Sequence, residues 1–133
     1  HNPQYLRGMS TSVAVTLPFL GSVDGVLFHL GDKPFVQAGT ISAIIAKFLQ
    51  DPSRIIVPLF RGERGHPILF NGLFLQGTAG ILKGDVGLRE VIEKHKRDVV
   101  SIEGDEGTVF DIDTVSQIDC LRERGYRVEE SKR

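Results

Sequence analysis

The feature that most constrains the fold of this chain is a switch of hydrophobic period along its first half. Two apolar, β-branched runs, VDGVLFHL (residues 23–30) and IIVPLF (residues 55–60), carry few polar interruptions. A strand wetted on one face would alternate, whereas a nearly continuous run suits a strand covered on both faces, as parallel strands of α/β proteins are. Between the runs lie Ile41, Ile44, Ile45, Phe48 and Leu49, spaced i, i+3, i+4, i+7 and i+8 as on one face of a helix. Thr40 is the predicted N-cap of that helix and Pro52 its stop.

The alternation continues. The turn-rich stretch RGERGHP (residues 61–67), either a plain hairpin or a working loop, leads into a short strand at residues 68–70. Residues 72–82 carry a helical pattern broken by glycines. Asp85 caps a further predicted helix with Leu88, Val91 and Ile92 on one face and Lys94, Lys96 and Arg97 near its end, as the macrodipole favours. Residues 99–102 and 108–112 read as strands, and Thr114 caps a closing helix through Ile118 and Leu121 that ends near Gly125. The pattern predicts an α/β domain over residues 1–133 with three layers, a mostly parallel sheet and helices on both faces. Only the tail VEESKR (residues 128–133) reads as solvated and mobile.

A chain of 133 residues can bury roughly two thirds of its unfolded surface, so its core needs no disulfide or metal staple. With 16 basic and 17 acidic residues there is no long-range field to draw a nucleic-acid backbone or an anionic membrane. Cys120 has no second cysteine to pair with, and the sequence shows neither a signal peptide nor a long apolar run, so the expected location is the cytoplasm.

Several residues could carry chemistry. In open α/β sheets ligands gather outside the carboxyl ends of the strands, where Asp32 falls; it is either a turn cap beside Pro34 or a cation ligand. In FDIDT (residues 110–114) strand alternation would put Asp111 and Asp113 on one face, as a solvent face, an N-cap or a metal contact. Together with Asp32 they would suit Mg²⁺, which takes one or two carboxylates, waters and substrate phosphates. His66 lies in a tight Gly-His-Pro turn where an imidazole can be aimed at a ligand, with Arg61 and Arg64 nearby as anion contacts. His29 reads as a core histidine, His95 as solvent-exposed and Cys120 as packing. GMSTSV (residues 8–13) places a glycine and hydroxyls before a helix, as a cap or as donors to an anion or a base edge.

Taken in order, NPQYLRGMSTSV, LGDKPFVQAGTI, IVPLFRGERGHPILF, GDVGLREVI and VFDIDTVSQID resemble the successive blocks of the MobA-like nucleotidyltransferases, and most nearly the MocA branch, the molybdenum cofactor cytidylyltransferases. That family shows a glycine and serines before a helix, a strand ending Asp-Gln-Pro or a near variant, Gly-His-Pro, Gly-Asp-x-Gly-x-Arg and Asp-Ile-Asp-Thr. The resemblance implies a nucleotide-diphospho-sugar transferase-like fold. It implies a Mg²⁺-dependent enzyme that moves a nucleoside monophosphate from a nucleoside triphosphate, CTP in preference to GTP, onto a phosphate of a molybdopterin-type acceptor and releases pyrophosphate. By similarity Asp32 is the metal-binding acid, Asp113 the second metal contact and Asp111 its neighbour on the acceptor side. Gly8, Ser10 and Ser12 resemble the positions that meet the nucleotide, and His66 and Arg89 those that meet the acceptor.

The sequence departs from the family pattern at three places. Lys33 follows the acid where Gln or Met is usual, and DIDTVSQID lacks the Pro and acid that follow the Thr. The Gly-rich nucleotide loop with its downstream Arg and Lys does not occur, and residues 1–133 are therefore expected to be the later part of a longer transferase domain, inactive by themselves. The competing expectations are a nucleotidyltransferase acting on a sugar or alcohol phosphate, and a truncated binding module without turnover. The residues do not state an oligomeric state.

Overall fold

The computed structural model describes residues 1–78, 80, 82 and 87–129. Strand β1 (Gly25–Phe28), helix α2 (Ala38–Gln50) and strand β2 (Ile55–Phe60) follow the opening helix α1 (Met9–Thr16). Then come β3 (Glu63–Arg64), β4 (Ile68–Asn71), α3 (Gly72–Gln76), α4 (Arg89–Lys94), β5 (Val99–Glu103) and α5 (Val115–Glu123). The sheet runs β1-β4-β2, with β5 parallel to β2 and the two-residue β3 folded back on the end of β2. β4 is antiparallel to both β1 and β2, so β1, β2 and β5 share one direction and their carboxyl ends meet at one rim. Register is fixed by Phe28 opposite Ile68, Ile56 opposite Leu69 and Ile55 opposite Val99. The sheet is mixed and flanked by helices, in line with the nucleotide-diphospho-sugar transferase-like fold that the resemblance implies.

Period-two alternation divides the apolar residues between two layers. Ile55 and Val57 of β2 and Ile68 and Phe70 of β4 face Val13 of α1, Leu75 of α3, Val91 and Ile92 of α4, and Leu17 and Leu88, which flank α1 and α4. Ile56 and Leu69 face the other way, onto Ile44 and Phe48 of α2. Ile44 and Phe48 are buried while Ile45 and Leu49 of the same helical stripe remain exposed, so the stripe read from the sequence is wider than the surface it covers. No helix among the described residues is long and apolar enough to cross a membrane.

Several elements differ from expectation for identifiable reasons. Helix α2 starts at Ala38, after an uncapped Gln37, because the Thr40 hydroxyl donates to the distant Asp105 carboxylate at 2.5 Å instead of capping. Residues 108–112 are no strand. Asp105 caps a 3₁₀ turn, Glu106–Thr108, and the Val109 and Phe110 N–H groups donate back to the Glu106 carbonyl, which closes the backbone on itself rather than on a neighbouring strand. Asp111 and Asp113 therefore do not share a strand face. The helix expected over 72–82 is the five-residue α3, and the one expected from Asp85 is described from Arg89, with Asp85 outside the described residues. Thr114 does cap α5, in a reciprocal capping box with Gln117. The tail beyond Glu129 also lies outside the described residues.

Candidate active-site cleft

The carboxyl-end rim opens into a cleft of about 950 Å³ on the α1–α4 side of the sheet. Its floor is the end of β1 at Phe28, with Ile68 of β4 beside it, and its walls are α1 and α4. RGERGHP supplies the far lip. Its first turn, Arg61-Gly62, has φ of 51° and 85°, the doubly left-handed geometry of a tight hairpin, and so folds Glu63 and Arg64 back as β3. The stretch is thus both a hairpin and a lining of the cleft.

Three residues from separate sequence blocks meet here, Ser12 on α1, His66 in the Gly-His-Pro turn and Arg89 at the start of α4. Two of those blocks also touch directly, because the buried Ser10 hydroxyl accepts the Gly87 N–H at 3.0 Å and ties the first turn of α1 to the segment entering α4. Ser10 therefore sits beneath the cleft wall, in a structural contact, and neither it nor Gly8 lines the cleft.

His66 is fixed from both sides. Its N–H donates to the Thr108 carbonyl at 2.8 Å, and a cis peptide joins it to Pro67. Its Nδ1 lies 3.5 Å from the Phe28 carbonyl, which can only accept, so the contact favours the Nδ1–H tautomer and leaves Nε2 as the ring's acceptor. Burial pushes the His66 pKa below the usual imidazole value, opposed by the Phe28 contact and by the Asp32 carboxylate and reinforced by Lys33 and His29. A histidine with a depressed folded pKa is neutral in both states above the unfolded value near 6.5. As pH falls below that value the unfolded chain takes up the proton first, so stability drops until the folded pKa is reached. His66 is thus expected to titrate below pH 6.5 by NMR, and His66→Gln to flatten the acid limb of the stability profile.

Asp32 follows β1 at the same rim, exposed, and its carboxylate makes no hydrogen bond or ion pair among the described residues. Its carbonyl accepts the Ile112 N–H at 2.9 Å, which brings Asp113, also exposed, to the neighbouring strand of chain. Asp111 is engaged otherwise. The Lys33 ammonium, buried at 8% exposure, reaches 76 residues ahead to the Val109 carbonyl at 2.9 Å and also lies 3.5 Å from the Asp111 carboxylate. Gln117 donates to the other Asp111 oxygen at 3.2 Å. The unusual Lys33 is therefore the pin that holds the 109–113 loop against the end of β1, and Asp111 is part of that anchor rather than of the cleft lining.

Among the described residues no group of three or more His, Cys, Asp or Glu could hold a metal ion by itself. Asp32 and Asp113 are exposed carboxylates on adjoining segments, both outside the cleft lining, and carboxylates are the donor type that Mg²⁺ takes beside water and phosphate oxygens. Sequence reasoning misplaced two histidines. His29 lies beyond the last residue of β1 and is exposed in the cleft, and His95 is half-buried, its ring packed edge-on against Phe74 at 4.7 Å. It also missed Glu93 and Glu63, which carry the acidic side of the cleft. A cleft-facing side of α4 could have been found by noting that Arg89 and Glu93 are four apart and so share one face of the helix.

A search of curated proteins finds none that matches the chain. Residues 1–99 match the MobA-like NTP transferase domain, a span that takes in α1, Asp32, the Gly-His-Pro turn and Arg89 and stops before Asp111 and Asp113. With the cleft at the carboxyl-end rim and the helix-flanked mixed sheet beneath it, this match shows that the chain belongs to the MobA-like NTP transferase domain family of nucleotidyltransferases.

Proposed function

We propose that the domain transfers a cytidylyl group from CTP to a phosphate of a molybdopterin-type cofactor, with release of pyrophosphate, as in the MocA branch of its family. The reading rests above all on one observation: Ser12, His66 and Arg89, far apart in sequence, line one cleft, and the exposed Asp32, itself outside the lining, follows two residues after Leu30 of that lining. In the reaction an acceptor phosphate oxygen forms a bond to the α-phosphorus of the triphosphate as the bond to the β-phosphate bridging oxygen breaks. Such a displacement needs placement and charge neutralisation more than a protein nucleophile. Arg89 supplies fixed positive charge at the cleft wall, and the neutral His66 offers a hydrogen bond without adding charge. Asp32 and Asp113 would hold Mg²⁺, which when bound neutralises phosphate oxygens. Ser12 supplies a hydroxyl to the nucleotide.

The test is binding of CTP against GTP to the full protein with Mg²⁺, by calorimetry. Binding of CTP at least about tenfold tighter, a difference of about 1.4 kcal/mol, is expected. Preference for GTP would move the protein to the guanylyl branch, and binding of neither would leave only the scaffold reading.

A further inference from the structure

The cleft contains a cation that is already occupied. Arg64, on β3, reaches across the lip to α4, where its guanidinium donates to Glu93 Oε1 at 2.7 Å. The other Glu93 oxygen receives the Lys96 ammonium at 2.6 Å. Lys96 and then Arg64 hold the Glu93 carboxyl below its usual pKa, so the acid is charged throughout the neutral range. Both Arg64 and Glu93 line the cleft, while Lys96 approaches from outside it.

We propose that Arg64 is a phosphoryl-binding residue of this cleft and that Glu93 is an internal carboxylate which an incoming phosphoryl group displaces from it. Three features carry this. The pair is exposed at 45% and 41% of its side chains, where water and salt screen it, so it is easily exchanged. A phosphoryl group presents the same paired oxygens as a carboxylate, with more charge, to the planar guanidinium fork. When Arg64 leaves, Glu93 keeps Lys96 as counter-ion, so exchange strands no uncompensated acid beside the ligand. Without exchange, Glu93 and Glu63 would face the ligand with Arg64 spent, leaving Arg89 as the arginine of the lining to oppose them. The inference deepens the reading of the cleft as a transferase site but does not need its nucleotide or acceptor to be the ones named.

The test is a double-mutant cycle on the full protein, read as affinity for inorganic pyrophosphate in EDTA, with melting temperature as the folding control. Arg64→Ala is expected to weaken binding ~10-fold or more, the scale of a lost charge-assisted pair. Glu93→Gln is expected to tighten it several-fold. In the Arg64→Ala background the Glu93→Gln gain should disappear. Equal tightening in both backgrounds would reduce Glu93 to plain repulsion and overturn the exchange, as would unchanged affinity on removing Arg64. Repeating the cycle with CTP and with a phosphate monoester, glycerol phosphate, shows whether Arg64 meets the triphosphate or the acceptor's phosphate. Because the pyrophosphate arm uses neither nucleotide nor metal, a positive cycle alongside failed nucleotide binding would sink the transferase reading and leave this one standing.

Discussion

Asp32→Ala in the full protein is expected to lower Mg²⁺-dependent nucleotidyl transfer by roughly 10²–10³-fold, the scale of losing one group aimed at developing charge. The melting temperature should not change. The carboxylate is exposed and makes no hydrogen bond or ion pair among the described residues, so its removal costs no contact, while the carbonyl that accepts from Ile112 stays in place. Asp111→Ala should show the opposite balance, because Asp111 belongs to the Lys33 anchor and lies off the cleft lining. Pyrophosphate release measured beside thermal melting separates the two. Turnover at the wild-type rate in Asp32→Ala would remove this residue from the chemistry.

Gly107→Ala is expected to destabilise the fold by about 3 kcal/mol or to prevent it, the upper range for forcing atoms into a packed site. Gly107 is buried where the 105–108 turn crosses the segment after Lys33, and a Cβ there would overlap the Phe35 carbonyl and the Val36 nitrogen. Neither neighbour is a side-chain end that can swing aside. The clash would also disturb the contact between the segment after Asp32 and the one that leads to Asp113, so stability and activity should fall in step. Gly39→Ala, in α2 with nothing within 4 Å of its added Cβ, serves as the control and should stabilise by up to about 1 kcal/mol. Urea midpoints of the two variants give the comparison.

What the sequence made legible follows from how local each signal is. β2 was readable to the residue because an apolar run between Arg54 and the Arg61-Gly62 turn leaves one place for it. The cap at Thr114 was readable because its partner, Gln117, lies three residues away. The misreadings have distant causes. Thr40 looked like a cap, but its hydroxyl is claimed by Asp105, 65 residues on. Residues 108–112 looked like a strand, but the Asp105 turn and the packing of Phe110 against Phe35, 5.9 Å between ring centres, hold them as a loop. His29 looked buried because it continues an apolar run, yet β1 ends one residue earlier and the ring lies in the cleft. In the site, Ser12, His66 and Arg89 were legible as motif residues, whereas the Arg64–Glu93 pair and the Lys33 pin join residues with no pattern relating them.

In the proposed reaction a divalent ion would share the triphosphate with the chain where the loop after β1 meets the 109–113 loop. Paramagnetic relaxation by Mn²⁺, with a nucleoside triphosphate bound to the full protein, tests that placement without relying on turnover. The amide signals of Asp32, Lys33, Ile112 and Asp113 should broaden first and together, and lose that broadening in Asp32→Ala. Broadening centred on another part of the surface, with these four signals sharp, would show that the ion does not bind between Asp32 and Asp113.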